Sequence, residues 1–387
     1  MPVVLPTKAS SLGFTIAYSE TIPLGGKFLG SFQSLESWRH TSQAFGGFDT
    51  ASFSVVDYQT ALEDWFENGI GRHIQAFDQD NSLFWEGFVD QVGLSIGGLQ
   101  VTRGPLMNIG NFVELDFASF DFGYTPPIPG IKKNTGTAEN TDSQERYGIV
   151  YKLLSATGVS DANALQLRDT YLSENQEPAL TSNFSFSADD FLLTVECKGY
   201  MHWLNYPYNN VSPGFTNIAA KLADVLGDDP NSIISADYSD ITPNAAIVPF
   251  WDIDDQVAKD VVKELVAMGD ASDRRYVFGV YDGRKAYYAP APTTIDYTMS
   301  LRDTARKVYD IAGNAVHPWR IRPGKWIKYT DFIPGFIAPR DDLRLDPRNL
   351  FIESVEFTAP NSFNLTGGKT TKLEQKMARL GLSGIFA

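Results

Sequence analysis

The stretch LFWEGFVDQVGL, residues 83–94, decides how the first part of this chain folds. Successive side chains of a strand point to opposite faces, so a sheet with one wet side alternates apolar and polar residues. Strict alternation here puts Phe84, Glu86, Phe88, Asp90, Val92 and Leu94 on one face, and Leu83, Trp85, Gly87, Val89 and Gln91 on the other. Both faces are largely apolar, and two carboxylates sit in the middle of one. Such a strand needs cover on both sides, and Glu86 and Asp90 need partners or a place at a rim.

Outward from that strand, the neighbouring segments read as strands broken by turns. FDTASFSVVDY (residues 48–58) shows period-two spacing at Ala51, Phe53 and Val55, and GKFLGSF (26–32) precedes it. TALEDWFENGIG (60–71) is a short helix with Leu62, Trp65 and Phe66 on one face and Gly69 or Gly71 to end it. Turns fall at DQDN (78–81) and at Gly97-Gly98, and NFVELDF (111–117) adds a further strand. Five to seven short strands with one helix describe a small barrel or a strongly curled sheet over residues 1–120, and a first barrel domain is the expectation.

Residues 121–180 read as a long loop or linker with one short helix. GYTPPIPGIKKNTGTAENTDSQERYG (123–148) is polar, Pro/Gly-rich and without apolar period, and IVYKLLSATG (149–158) follows as a short helical piece. Residues 181–300 read as a mixed α/β middle region. LLTVECKGYMHWL (192–204) is strand-like. Two helices follow, with Ile218, Leu222 and Leu226 on one stripe, and Val257, Val261, Leu265 and Met268 on another. RRYVFGVYDGRKAYY (274–288) is a hairpin on a two-residue Asp282-Gly283 turn. Residues 301–387 read as a second barrel with turns at Gly313-Asn314 and Pro323-Gly324. A C-terminal helix closes it, opened by a Thr371/Glu374 capping box and striped by Leu373, Met377 and Leu380. The expected fold is thus β-rich α+β: two small β-barrel domains joined by a mixed α/β middle region.

The 387 residues are 43% hydrophobic, 20% charged and 13% aromatic, which is a globular and strand-rich composition. A net charge of −15 repels phosphate backbones and favours solubility. Cys197 is the single cysteine, so no disulfide within the chain and no Cys-x-x-Cys zinc pattern is expected; its apolar neighbours make it a core filler. The N-terminus lacks the basic and apolar regions of a secretory signal, and no window is apolar enough for a membrane segment.

Catalytic motifs are few and fail on context. Gly93-Leu94-Ser95-Ile96-Gly97 fits G-x-S-x-G, but the chain continues as strand into LQVT instead of turning into a helix. Gly367-Gly368-Lys369-Thr370 has the end of a P-loop, with Phe363 where the first glycine belongs, and Gly69-Ile70-Gly71 lies between a helix and a strand in the wrong order for a dinucleotide site. His40, His73, His202 and His317 are scattered, none at metal-ligand spacing from another His or a carboxylate. The expectation is no catalytic residue, no metal and no cofactor. What remains is aromatic surface: Trp85, Phe88, Trp319 and Trp326, with Leu373, Met377 and Leu380, are the expected subunit or domain interface residues.

The order of these elements resembles phage tail and baseplate hub proteins of the two-barrel type, a family also related to the N-terminal regions of type VI secretion spikes. The likeness rests on SWRHTSQAFGGFDTASFSV and DWFENGIGRHIQAFDQDNSLFWEGFVDQV, with VTRGPLMNIGNFVELDF and SQERYG after them. It continues in LLTVECKGYMHWL, the 274–288 hairpin, PGKWIKYTDF, FIESVEFTAP and the final helix. The resemblance implies a virion structural protein, made in the host cytoplasm, without enzymatic activity. It would be a homotrimer whose paired barrels form a six-part ring at the tail tip, with a tail tube protein, a tip or spike protein and a tape measure protein as partners. Three chains would carry 3 × −15 = −45, so DNA would pass during genome ejection without tight binding. Two other readings stand beside it: a distal tail protein assembling as a hexameric ring, and a carbohydrate-binding or -cleaving tail module built on exposed tryptophans.

Overall fold

The computed structural model describes residues 12–367 apart from 22–24, 33–34, 57–58, 122–127, 185–190, 213–215, 249–250, 271, 273, 304–306, 332–345 and 347. The expected C-terminal helix, with Leu373, Met377 and Leu380, lies outside the described residues.

The first sheet is built from β1 (Thr15–Ser19), β2 (Phe28–Phe32), β3 (Leu35–Gln43), β4 (Phe45–Val55), β5 (His73–Phe77), β6 (Leu83–Ile96) and β7 (Leu99–Arg103), with α1 (Gln59–Asn68) between β4 and β5. A strand from much later in the chain, Leu192–Lys198, is inserted between β4 and β6, antiparallel to both. The pairings run β2, β1, β5, β6, Leu192–Lys198, β4, β3, Asn349–Thr358 and Ser362–Gly367. Among the described residues that path does not return to β2, so the sheet is strongly curled and open rather than a closed barrel. Trp38, Phe53, Trp85, Val89, Val92, Leu193 and Val195 fill its concave side, each at most 1% exposed.

β6 departs from strict alternation at two points. Ala76 pairs with Trp85 and Phe77 with Leu83, so Phe84 is an extra residue; Glu196 pairs with Gln91 and Cys197 with Val89, so Asp90 is another. Each is a β-bulge, which changes the face that the following side chains occupy. Phe84 and Trp85, adjacent in sequence, therefore both pack on Trp38, at ring separations of 5.8 and 6.0 Å. The two faces expected from simple alternation are redrawn. Phe88 and Glu86 stay on the convex side, while Val92 and Leu94 lie opposite Val195 and Leu193.

The expected strand at NFVELDF is β8 (Phe112–Ala118), but the segment 121–180, expected as a long loop or linker, supplies it with further strands and two helices. β8 is the centre of a small sheet, with Lys133–Asn134 and Ala138–Glu139 antiparallel on one side and Tyr151–Thr157 parallel on the other. α2 (Thr141–Tyr147) and α3 (Asp161–Asn175) complete it. Tyr151–Thr157 was expected to be helical. It is a strand because Leu154 and Ala156 alternate onto one half-buried face against Leu115 and Phe117, and tertiary pairing with β8 decides the outcome. α3 gives almost no apolar periodicity, since Leu165 and Leu167 are exposed and only Ala164 is buried against Leu115 and Phe117. Its clearest sequence mark is the cap, where the Ser160 hydroxyl accepts the Asn163 N–H.

Further on, α4 (Ile218–Gly227) and α5 (Ala258–Met268) bury the predicted stripes, including Ile218, Leu222, Val261 and Leu265. Val257, read as the first residue of the second helix stripe, instead ends the strand Trp251–Val257, which pairs with Pro207–Ser212. The predicted hairpin joins Tyr276–Tyr281 to Lys285–Pro290, but Tyr281 pairs with Lys285, so its turn has three residues and includes Arg284. Residues Phe278–Val280 also run parallel to Phe45–Gly47 of β4, where a Cβ on Gly47 would stand 2.4 Å from the Val280 carbonyl oxygen. The last part pairs Ala315–Val316, Val308–Asp310, Tyr297–Met299, Trp326–Tyr329 and Asn349–Thr358 in that order. Asn349–Thr358 then continues into the first sheet beside β3. The two expected barrels are two sheets sharing one strand.

Candidate functional site

The convex face of β6 is covered by the chain's own later segments, and three buried carboxylates hold them there. Glu86, 1% exposed, accepts the N–H groups of Arg284 (2.6 Å) and Gly283 (3.2 Å) and the side-chain amide of Gln75 (3.1 Å). Gly283 and Arg284 have φ of 73° and 60°, so the hairpin turn presents successive amides to one anion. Burial raises the Glu86 pKa above the usual carboxylate value, against the pull of these three donors. Asp90, 4% exposed, accepts the Met107 N–H at 3.0 Å and pairs with the Lys198 ammonium at 2.8 Å. Asp78, also 4% exposed, closes its own turn by accepting the N–H groups of Asp80 and Ser82. Its other oxygen accepts the Trp319 indole N–H at 3.1 Å and the Arg320 Nε–H at 2.6 Å. Burial works to raise the Asp78 pKa, but these donors outweigh it and hold the carboxyl below its ordinary value.

Aromatic side chains fill the spaces between these anchors. Phe88 packs on Trp203 (5.4 Å) and Tyr200 (6.0 Å), and the Tyr200 hydroxyl donates to the Gly87 carbonyl while hydrogen-bonding His73. Trp85 is fully buried against Trp38 and Phe48. Both predicted interface residues on β6 are therefore covered by their own chain, and the contact they make is between segments of one polypeptide. Trp319 meets Phe14 and Phe357 edge-on and stacks on His317 at 4.4 Å. Trp326 packs on Phe351 at 5.3 Å and donates its indole N–H to the Pro292 carbonyl. The Trp319 and Trp326 indoles each spend their N–H inside the chain, whereas the buried Trp85 indole N–H has no hydrogen-bond partner among the described residues. Arg322 joins the same junction, lying over the rings of Phe48 (5.0 Å) and Tyr281 (4.7 Å) and pairing with Asp282.

One pairing was invisible in the sequence. His202 Nε2 lies 3.0 Å from Asp49 Oδ1, although the residues are 153 positions apart. The other Asp49 oxygen accepts from Gln43 and Thr41. An imidazole held by a carboxylate can serve as a base when substrate has room beside it. The cavity next to His202, lined by Met107, Ile149, Tyr151, Trp203 and Asn231, is about 10 Å³, the space of a single water. Among the described residues no group of three or more His, Cys, Asp or Glu could hold a metal ion. Burial drives the Cys197 thiol pKa well up, and a neutral thiol is a poor nucleophile. No helix among the described residues is long and apolar enough to cross a membrane.

No family model matches this chain, and no curated protein does. Among solved structures it overlaps a tail protein from Neisseria meningitidis MC58 at TM-score 0.41 and 8% identity, over 94% of this chain and 99% of that one. It overlaps the 43 kDa tail protein of prophage MuSo2 from Shewanella oneidensis at TM-score 0.41 and 9% identity, over 94% of this chain and 97% of that one.

Proposed function

We propose that this chain is a non-enzymatic structural protein of a phage tail, a hub at the tail tip or baseplate that assembles as a homotrimeric ring. In this reading the ring adapts a hexameric tail tube to a threefold tip or spike and lets DNA pass through an acidic opening. The observation that supports it most is how the chain uses three of its buried carboxylates. Glu86, Asp90 and Asp78 each fasten one segment of the chain to another. Side chains spent on joining segments suit a rigid ring component better than a catalyst, which needs such groups poised and accessible. The sequence resemblance to hub proteins supplies the tail, the trimer and the partners. The tube, tip and tape measure proteins belong to the proposal with it.

The assembly is tested by native mass measurement of the purified chain at micromolar concentration. A threefold ring of 42.8 kDa chains has half the mass of the sixfold ring expected of a distal tail protein. Labelled antibody seen at the tail tip in electron micrographs supports the location. A lone monomer at all concentrations, or label along the tube, overturns the hub reading.

A further inference from the structure

His40 sits where the C-terminal sheet joins the first one. It is 3% exposed, lies in β3 directly opposite Phe357 of Asn349–Thr358, and packs on Phe357 at 5.4 Å and on Phe84 of β6 at 5.5 Å. Its Nδ1 accepts the indole N–H of Trp38 at 3.0 Å. An indole nitrogen only donates, so this bond exists only while Nδ1 carries no proton. Protonation would break it, turn two donors toward each other and place a cation among Phe84, Phe357 and Trp38. Among the described residues, the elements packed on the ring offer that cation no acidic partner. From β4 the facing residue is Ala51; from β6, Phe84; from Asn349–Thr358, Phe357. The charge felt at the ring is that of Arg322, itself positive. Arg39 and Glu356 pair with each other, at 57% and 32% exposure, beside the buried ring.

We propose that His40 is an acid-sensitive pin: protonating its ring loosens the strand Asn349–Thr358, and the C-terminal sheet continuous with it, from β3. The geometry makes the direction unambiguous. The docked arrangement admits only the neutral ring, while an undocked His40 reaches water and takes up a proton at its ordinary value of about 6.5. Burial and Arg322 hold the docked ring down to about 3. Between these values, each drop of one pH unit raises the population of the undocked state about tenfold. Trp319, which packs on Phe357 and is tied to Asp78, would move with the strand, so the Asp78 anchor resists the release without itself titrating above its lowered value.

The test is amide exchange across Val355–Thr358 in the full chain, corrected for intrinsic pH dependence, between about pH 6.5 and 4.5. The opening population should rise about tenfold per unit in the wild type. In His40→Phe, which keeps a ring in the cluster but cannot ionise, the slope should fall by one proton even though the lost Trp38 bond lowers protection at every pH. Equal slopes in the two proteins overturn the proposal. Should the variant not fold, the wild-type ring is followed directly by nitrogen NMR. Protonation of His40 that coincides with lost protection at Val355–Thr358 supports the pin, whereas titration near 6.5 with the strand still protected overturns it.

Discussion

Replacing Asp78 by Asn tests whether the C-terminal sheet is held to the first by one buried carboxylate. The substitution keeps an oxygen for the Asp80 and Ser82 amides, so the local turn survives. It turns an NH2 group toward the Trp319 N–H and the Arg320 guanidinium, leaving donors facing donors. Removing one partner of a buried ion pair costs about 3–5 kcal/mol when the other charge is trapped. Arg320 is not trapped: its side chain is 35% exposed and already reaches Asp80 at 2.9 Å, so it can turn to that exposed carboxylate and to water. Discounting for that escape leaves two charge-assisted bonds and one orphaned indole N–H, about 2–4 kcal/mol. Urea denaturation read by tryptophan fluorescence measures it, with Trp319→Phe as the comparison that removes the indole bond and part of the ring's packing on Phe14, Phe357 and His317 but leaves the Arg320 pair, at about 1–3 kcal/mol. The double variant should cost less than the sum, because both changes break one network. The pH dependence has a definite sign. Asp78 is held below its unfolded value, so its contribution is complete above about pH 4 and is lost as pH falls through the lowered folded value. A stability within 0.5 kcal/mol of wild type for Asp78→Asn would refute the assignment of Asp78 as the anchor.

Gly47→Ala adds a Cβ at φ 79° and 2.4 Å from the Val280 carbonyl oxygen, so it should destabilise by about 3 kcal/mol or more and unpair Phe278–Val280 from β4, seen as faster exchange of the Phe278 amide. Asn111→Ala removes a fully buried side chain that accepts the Val150 N–H and donates to Ser143 and the Gly148 carbonyl; a cost of about 2–4 kcal/mol is expected, with protection lost first in Tyr151–Thr157. Cys197, buried and with its thiol pKa driven up, should resist Ellman's reagent at pH 8 in the folded protein and react stoichiometrically in denaturant; prompt labelling of the native chain would contradict its place in the core.

Local signals were read correctly wherever pattern and burial coincide. The turns at 78–81 and Gly97-Gly98 stand in place, as do α1, α4 and the Tyr276–Pro290 hairpin, because turn chemistry and a stripe of apolar residues act over a few positions. The carboxylates Glu86 and Asp90 announced that they needed partners, since a charge in an apolar run has no other way to be tolerated. The partners themselves could not be read: Arg284 lies 198 positions from Glu86, Arg320 lies 242 from Asp78, and His202 lies 153 from Asp49.

The sequence by itself determined that this is a β-rich, acidic chain whose central strand must be covered on both faces, since apolar area and charge are counted residue by residue. Only the tertiary structure decided what does the covering. Bulges at Phe84 and Asp90 reassign faces that alternation alone would fix otherwise. Lys133–Asn134, Ala138–Glu139 and Tyr151–Thr157 become a small sheet because β8 offers them edges to pair with, not because they are patterned for it. Leu192–Lys198 and Asn349–Thr358 enter the first sheet from far along the chain, and backbone pairing of that range leaves no periodic trace in the sequence that makes it.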